Sequence, residues 1–200
     1  MIYVQKKAED LNNLFLRLGI VESVPLGKDC QLKASCVDTH LGQTLIIADE
    51  KSVYMLEFVE CRNLHAKLKR LQSNTKTFIV GGRSQLVDML ERELQDYFAG
   101  TLVRFKTPFL LLGTPFQKGV WQELQQIPYG QTRSYAEIAV AIGKPSAFRA
   151  VALANSSNMI CVIVPCHRVI QSTGALGGYA SGTERKQWLL NHEHNVGKVR

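Results

Sequence analysis

A thiol, an imidazole and a guanidinium stand in a row at Cys166, His167 and Arg168, flanked by Pro165 and Val169. Cysteine attacks as the thiolate, and neighbouring cations favour that form over the thiol. The trio therefore has the makings of an activated nucleophile. Residue types alone do not decide the matter, because free cysteine is commonly buried and inert. The apolar run Met159-Ile160-Cys161-Val162-Ile163-Val164 reads as a short buried strand, which would put the thiol where a core strand stops. Successive strand side chains point to opposite faces. A bend at Pro165 is what would let Cys166 and His167 face one pocket.

The elements that must position these groups lie on both sides. Downstream, Ile170 to Tyr179 is a glycine-dense loop, and Thr183 to Leu190 reads as a helix ending near Asn191-His192-Glu193. Upstream, Thr114 is a helix cap with Pro115 at the first helical position, and the helix stops at Ile127-Pro128. Ser134 caps the next helix, Tyr135 to Ile142, with Glu137 completing a capping box. A Gly143-Lys144-Pro145 turn then leads to Ser146 as cap of a third helix, Ala147 to Ala154. Helix, glycine turn and small-residue helix form a helix-turn-helix pattern, which many helical hairpins share. The small residues Ala147, Ala150 and Ala154 fit close approach to a groove and tight core packing equally well.

The block PCHRV, the loop G-x-x-G-G-Y at Gly174 to Tyr179 and the tail R-K-x-W-L-L-x-x-E at Arg185 to Glu193 closely resemble the active-site segment of the O6-alkylguanine-DNA alkyltransferases, also called methylated-DNA–protein-cysteine methyltransferases. The likeness continues upstream through Pro128-Tyr129-Gly130-Gln131-Thr132, Ser134-Tyr135 and Arg149-Ala150-Val151 to Asn158. It needs no gaps from Thr114 to Glu193, is weaker over residues 29–113 and is absent before that.

The resemblance implies a single-turnover enzyme that repairs double-stranded DNA by direct reversal. It would take the alkyl group of O6-alkylguanine, and of O4-alkylthymine, onto Cys166 after flipping the nucleotide out of the duplex. His167 would take the thiol proton through a water, with Glu193 orienting the imidazole, and Tyr135 would protonate the departing guanine at N3. Arg149 would be the finger that fills the vacated stack, since a guanidinium both stacks and hydrogen-bonds. Its helix would lie in the minor groove, with Ser134, Ala147, Ala150, Asn155 and Ser172 also on the DNA. Val169, Gly177, Gly178, Tyr179 and Ala180 would line the base pocket, and Asn158 would brace the loop before the active-site strand by bonding backbone groups. The plain alternatives are a phosphate contact or salt bridge for Arg149, a core ring for Tyr135, and a solvated helix-end carboxylate for Glu193, where the helix dipole disfavours it.

The implied fold is α+β: an N-terminal ribonuclease-H-like lobe over residues 29–113, a small antiparallel sheet with helices, and a mostly helical winged-helix-like lobe over residues 114–200. Residues 1–28 form an extension whose segment Ala8 to Leu18 predicts a short helix stopped by Gly19. In the first lobe, Leu45 to Ala48 and Ser52 to Phe58 predict a hairpin around Asp49-Glu50-Lys51. Asn63 to Leu71 and Ser84 to Ala99 predict helices, the second with an apolar stripe of Leu86, Met89, Leu90, Leu94 and Phe98. Thr101 to Leu112 predicts a further strand.

Charge is uneven. Of the net +7, residues 114–200 carry 9 Lys/Arg against 4 Asp/Glu, which fits a half that binds a polyanion. An odd five cysteines without a C-x-x-C pair, and no secretory leader, point to a reducing, cytoplasmic setting near the nucleoid, or nuclear in a eukaryote. No apolar run reaches the length of a membrane span, and a monomer is expected.

Two features depart from the family. Ala180 stands where many members carry Ser, which preserves any contact made by its backbone. Some members hold a zinc in the first lobe; Cys30 falls on such a position, but its partners are Asp49 and Tyr54, and a neutral phenol is an unusual zinc ligand. No metal or other cofactor is expected. The competing readings are a lesion-recognition protein without transfer, which the intact Cys166 opposes, a transcriptional regulator, and a cysteine hydrolase, which the one-residue Cys-His spacing opposes.

Overall fold

The computed structural model describes residues 10–21 and 31–199. Strands β1 (Gln31–Thr39), β2 (Gly42–Ala48) and β3 (Val53–Phe58) form an antiparallel meander. After α2 (Leu64–Thr75), β4 (Phe78–Gly81) joins parallel to β1, giving the order β3-β2-β1-β4. The expected hairpin is β2-β3, with Asp49 holding its turn through bonds from the Lys51 and Ser52 amides. Helix α1 (Leu11–Leu18) ends at Gly19 with φ 70°, a left-handed cap that glycine adopts without strain. The start of the expected helix at Ala8-Glu9 lies outside the described residues, as does Cys30.

The sheet is buried on both faces because β2 alternates between two hydrophobic clusters. Leu45 and Ile47 join Leu14, Leu32, Leu64 and Ile79 on one side, where α1 and α2 pack. Ile46 and Ala48 join Leu90, Leu94, Trp121, Val151 and Leu189 on the other. That second cluster runs across Gly113-Thr114-Pro115, so the site rests on core supplied from both sides of that point.

Helix α3 (Gln85–Phe98) buries Val87, Leu90, Leu94 and Tyr97. Leu86, Met89 and Phe98 of the expected stripe are only half-buried; Met89 and Phe98 lie at its edges, while Val87 and Tyr97, which the stripe passed over, are buried on the same face. Helix α4 (Pro115–Leu124) begins at Thr114 with the capping-box partner Gln117. A two-residue β5 (Arg133–Ser134) leads into α5 (Tyr135–Ala141), capped by Ser134 and Glu137 as expected. Ser146 is no cap: Pro145–Ala147 forms a 3₁₀ turn and α6 (Phe148–Ser156) follows with no side-chain cap.

Two expected strands are absent. Thr101 to Leu112 is irregular, with bends, and pairs only at Phe109, through Val53 N–H to Pro108 O and Leu110 N–H to Val53 O. Met159 to Val164 is a buried turn touching β3 at one bridge, Leu56 with Ile160. An unbroken apolar run signals burial without signalling strand geometry, and here Asn158 takes over the backbone. Its Oδ1 accepts from Ile160 N–H at 2.9 Å, and its Nδ2 donates to Val164 O at 3.0 Å. The turn forces Val162 to φ 68°, a left-handed conformation that a β-branched residue rarely adopts. Beyond a second 3₁₀ turn at Cys166–Arg168, β6 (Val169–Ile170) pairs parallel to β5. Helix α7 runs from Thr183 to Val199, so Glu193 sits inside the helix and not at its end. No helix among the described residues is long and apolar enough to cross a membrane.

Candidate active site

Cys166 opens the 3₁₀ turn and is 5% exposed. It lines a narrow cavity together with Asn158, Cys161 and Tyr179. The cavity volume is about 10 Å³, room for about one water. Burial pushes the thiol above its ordinary value; Asn158, Lys67 and Lys186 oppose that and Glu57 adds to it. Cations do surround the sulfur, yet desolvation wins, and the resting form is the thiol. The site therefore needs a base.

His167 is fully buried and its Nε2 meets Glu193 Oε1 at 2.8 Å. Burial lowers the imidazole below its ordinary value, more than Glu193 raises it. Glu193 is a hub. Oε1 also accepts from Tyr97 Oη at 2.6 Å and Arg168 Nη2 at 3.0 Å, while Oε2 accepts from Arg168 Nε at 2.8 Å and Gly130 N–H at 3.2 Å. Burial alone would raise its pKa, but His167 and Arg168 hold the carboxyl well below the usual carboxylate range. An anionic Glu193 fixes the His167 tautomer: Nε2 carries the proton, and Nδ1, which engages no protein group, is the acceptor.

Tyr135, the first residue of α5, is half-buried. Burial and the neighbouring Cys166 raise its hydroxyl above the ordinary phenol value, so it remains a proton donor. Gly177 packs against it: with φ 69°, a side chain at this position would put Cβ 3.2 Å from Tyr135 Oη. Tyr179 is buried beside Cys166 and its hydroxyl is likewise raised by burial. The Val169 carbonyl accepts from Lys186 Nζ at 2.5 Å. Ala180 O accepts from the Arg62 amide at 3.2 Å. Gly178 is exposed beside the cavity.

Arg149 and Ala150 are exposed on α6, and Ala147 is half-buried in the preceding 3₁₀ turn. Ala154 faces the core, where its carbonyl accepts from Trp121 Nε1 at 2.8 Å. The guanidinium of Arg149 lies over the ring of Phe148, itself 45% exposed, and Leu153 is exposed further along α6. Ser134 and Ser172 share a groove of about 360 Å³ with Arg133 and Gly174, although the Ser134 hydroxyl is committed to Glu137. Asn155 is a correction. Expected on the DNA face, it is 4% exposed and donates to the Cys166 carbonyl at 3.2 Å, because it faces inward from the last turn of α6. Asp49 and Tyr54 bond each other at 2.8 Å.

A family profile described as 6-O-methylguanine DNA methyltransferase, DNA binding domain, matches residues 115–195. A methylated-DNA–protein-cysteine methyltransferase of Methanosarcina barkeri is 42% identical over 165 residues, which is 80% of this chain and 95% of the relative. The chain belongs to the methylated-DNA–protein-cysteine methyltransferase family. The crystal structure of Mycobacterium tuberculosis OGT in complex with DNA superposes with TM-score 0.69 at 38% identity, covering 83% of this chain and 94% of that one. The O6-methylguanine-DNA methyltransferase of Pyrococcus kodakaraensis, at 22% identity and TM-score 0.63, covers 81% of this chain and 98% of its own, and shares the fold. The α+β, two-lobe architecture is that of these methyltransferases.

Sequence reasoning passed over three members of the methyltransferase site. Arg168 stood inside the leading motif, but nothing linked it to Glu193. Lys186 stood inside the tail motif; burial lowers it to about 8. Tyr97 shares the face of α3 that carries the apolar stripe, but no motif linked it to Glu193.

Proposed function

We infer that this chain repairs alkylated double-stranded DNA by moving the alkyl group from O6 of guanine onto its own Cys166. The observation that carries this is the buried Cys166 thiol with the His167–Glu193 pair behind it, on the same small lobe as an exposed Arg149 helix. Arg149 enters the minor groove as the nucleotide leaves the stack, with Ala147 and Ala150 allowing α6 to lie close, and Ser134 and Ser172 flanking the groove edge. The resting cavity holds about one water, so the Gly177-Gly178-Tyr179 segment shifts to admit the base. His167 Nδ1 takes the thiol proton through a water. The sulfur then attacks the alkyl carbon in line, the S–C bond forms as the O6–C bond breaks, and Tyr135 gives its proton to N3 of the departing guanine. Backbone groups of Cys166, Val169 and Ala180 face the base edge, and Asn158 keeps the turn behind the sulfur in place.

The product is a thioether that no other group here hydrolyses, so each molecule reacts once. The alkyl ether at O4 of thymine is the same type of electrophile, and we extend the substrate to it. We assign the reaction to a monomer in the cytoplasm, on nucleoid DNA or nuclear DNA in a eukaryote, where thiols such as the four described free cysteines stay reduced. The test is mass spectrometry after incubation with an O6-methylguanine duplex. One methyl on the Cys166 peptide of the wild type and none on Cys166→Ala is expected. Tight binding with no addition would make the chain a recognition protein, and many transfers per molecule would refute the single-use reaction.

A further inference from the structure

Glu57 and Lys67 lie far upstream of the motifs, and the proposed chemistry does not use them, yet both line the cavity onto which Cys166 opens. Glu57 on β3 is 1% exposed and Lys67 on α2 is 4% exposed. Lys67 Nζ meets Glu57 Oε2 at 2.5 Å and donates to the Asn158 carbonyl at 2.5 Å. Glu57 Oε1 accepts from Ser181 Oγ at 2.6 Å and from Phe58 N–H at 2.9 Å. Burying two charges is a poor way to gain stability, because a packed apolar pair of the same volume does as well. What distinguishes this pair is where its remaining bonds go. One reaches the chain just before the turn that carries Cys166; another reaches the chain two residues after Tyr179.

We propose that the Glu57–Lys67 pair is a positioning device for the alkyl transfer, setting the distance between the Asn158 turn and the Tyr179–Ser181 segment and fixing a cation beside the thiolate as it forms. The idea rests on the function proposed above. The other titratable groups around the sulfur are Cys161, Tyr135, Tyr179, Lys186 and the adjoining His167, the proposed base. Lys67 and Lys186 are the two cations that favour the thiolate; Lys186 is tied to the Val169 and Leu176 carbonyls, and of the two only Lys67 lines the cavity. Burial works against the Lys67 charge, but Glu57, with Cys61 and Cys166, outweighs it and keeps the ammonium above its ordinary value.

The test uses the full chain as wild type, Lys67→Met/Glu57→Gln and Ser181→Ala. Single-turnover transfer from an O6-methylguanine duplex gives apparent Kd and maximal rate. Iodoacetamide labelling of Cys166, followed by mass against pH, gives the titration of the thiol. The double variant leaves no buried charge unpaired. It is expected to keep its melting temperature and Kd, to lose about tenfold in maximal rate, and to move the labelling midpoint up by about half a pH unit or more. Ser181→Ala retains the lysine, so it should slow transfer by about threefold with an unmoved midpoint. A folded double variant with wild-type rate and midpoint overturns the proposal. If that variant does not fold, wild-type transfer by Ser181→Ala overturns it instead. If the wild type itself accepts no alkyl group, the functional reading fails, while the labelling midpoints still test the cation.

Discussion

Replacing Glu193 by glutamine tests the hub behind His167. Oε1 receives three donors, from Tyr97, His167 and Arg168, and Oε2 receives two, from Arg168 and Gly130. Whichever way the amide is turned, its NH₂ faces at least two donors, and the buried Arg168 loses its counter-charge. Removing one partner of such a buried pair costs about 3–5 kcal/mol. For a chain of this size each kcal/mol moves the melting temperature by about 2–4 °C, so Glu193→Gln should melt about 6–20 °C lower at pH 7. The sign of the pH dependence follows from the depressed carboxyl. Its stabilisation is complete above the ordinary value of 4.5 and is lost as pH falls towards the folded value. The gap between the two melts should therefore hold from pH 7 down to about 5 and narrow below about 4.5. Scanning calorimetry across that range checks both. A drop under about 3 °C at pH 7, or a gap that widens in acid, would refute the reasoning.

The remaining predictions concern transfer. Tyr135→Phe should bind duplex normally and lose about 10²-fold in single-turnover rate; an unchanged rate would return Tyr135 to a packing role. Arg149→Ala should slow repair in duplex DNA while leaving iodoacetamide labelling of Cys166 unchanged, since the residue is exposed on α6 and its proposed role is in flipping. Gly177→Ala should cost about 1–2 kcal/mol from its left-handed backbone and press on Tyr135 Oη, lowering both melting temperature and rate. Because burial lowers His167, the transfer rate should stay flat through pH 6.5 and fall only on the acid side of it; a midpoint at or above 6.5 counts against His167 as the base.

The parts of the fold legible in sequence were those with local chemistry. Thr114 caps its helix and Ser134 with Glu137 forms its capping box, as read, and the β2-β3 turn closes where Asp49 sits. Residues whose roles depend on distant partners were not legible. Asn158 converts an apolar run into a turn through bonds to Ile160 and Val164, and no periodicity carries that information. Asn155 looked like a groove residue on a small-residue helix, but its phase turns it towards the Cys166 carbonyl. The Glu193 hub gathers Tyr97, Gly130 and Arg168 from three segments, a convergence that only tertiary structure creates.

The second hydrophobic cluster, crossing from β2 to α4 and α7, has a consequence for how this protein can be divided. The family profile ends its claim at residues 115–195, yet Tyr97 anchors the Glu193 carboxylate behind His167 from outside that stretch, and the cavity wall is finished by β3 and α2. A chimera that exchanged the first lobe for a relative's would inherit the nucleophile intact and still arrive with a mismatched setting for it. The unit of inheritance for this chemistry is therefore larger than its signature.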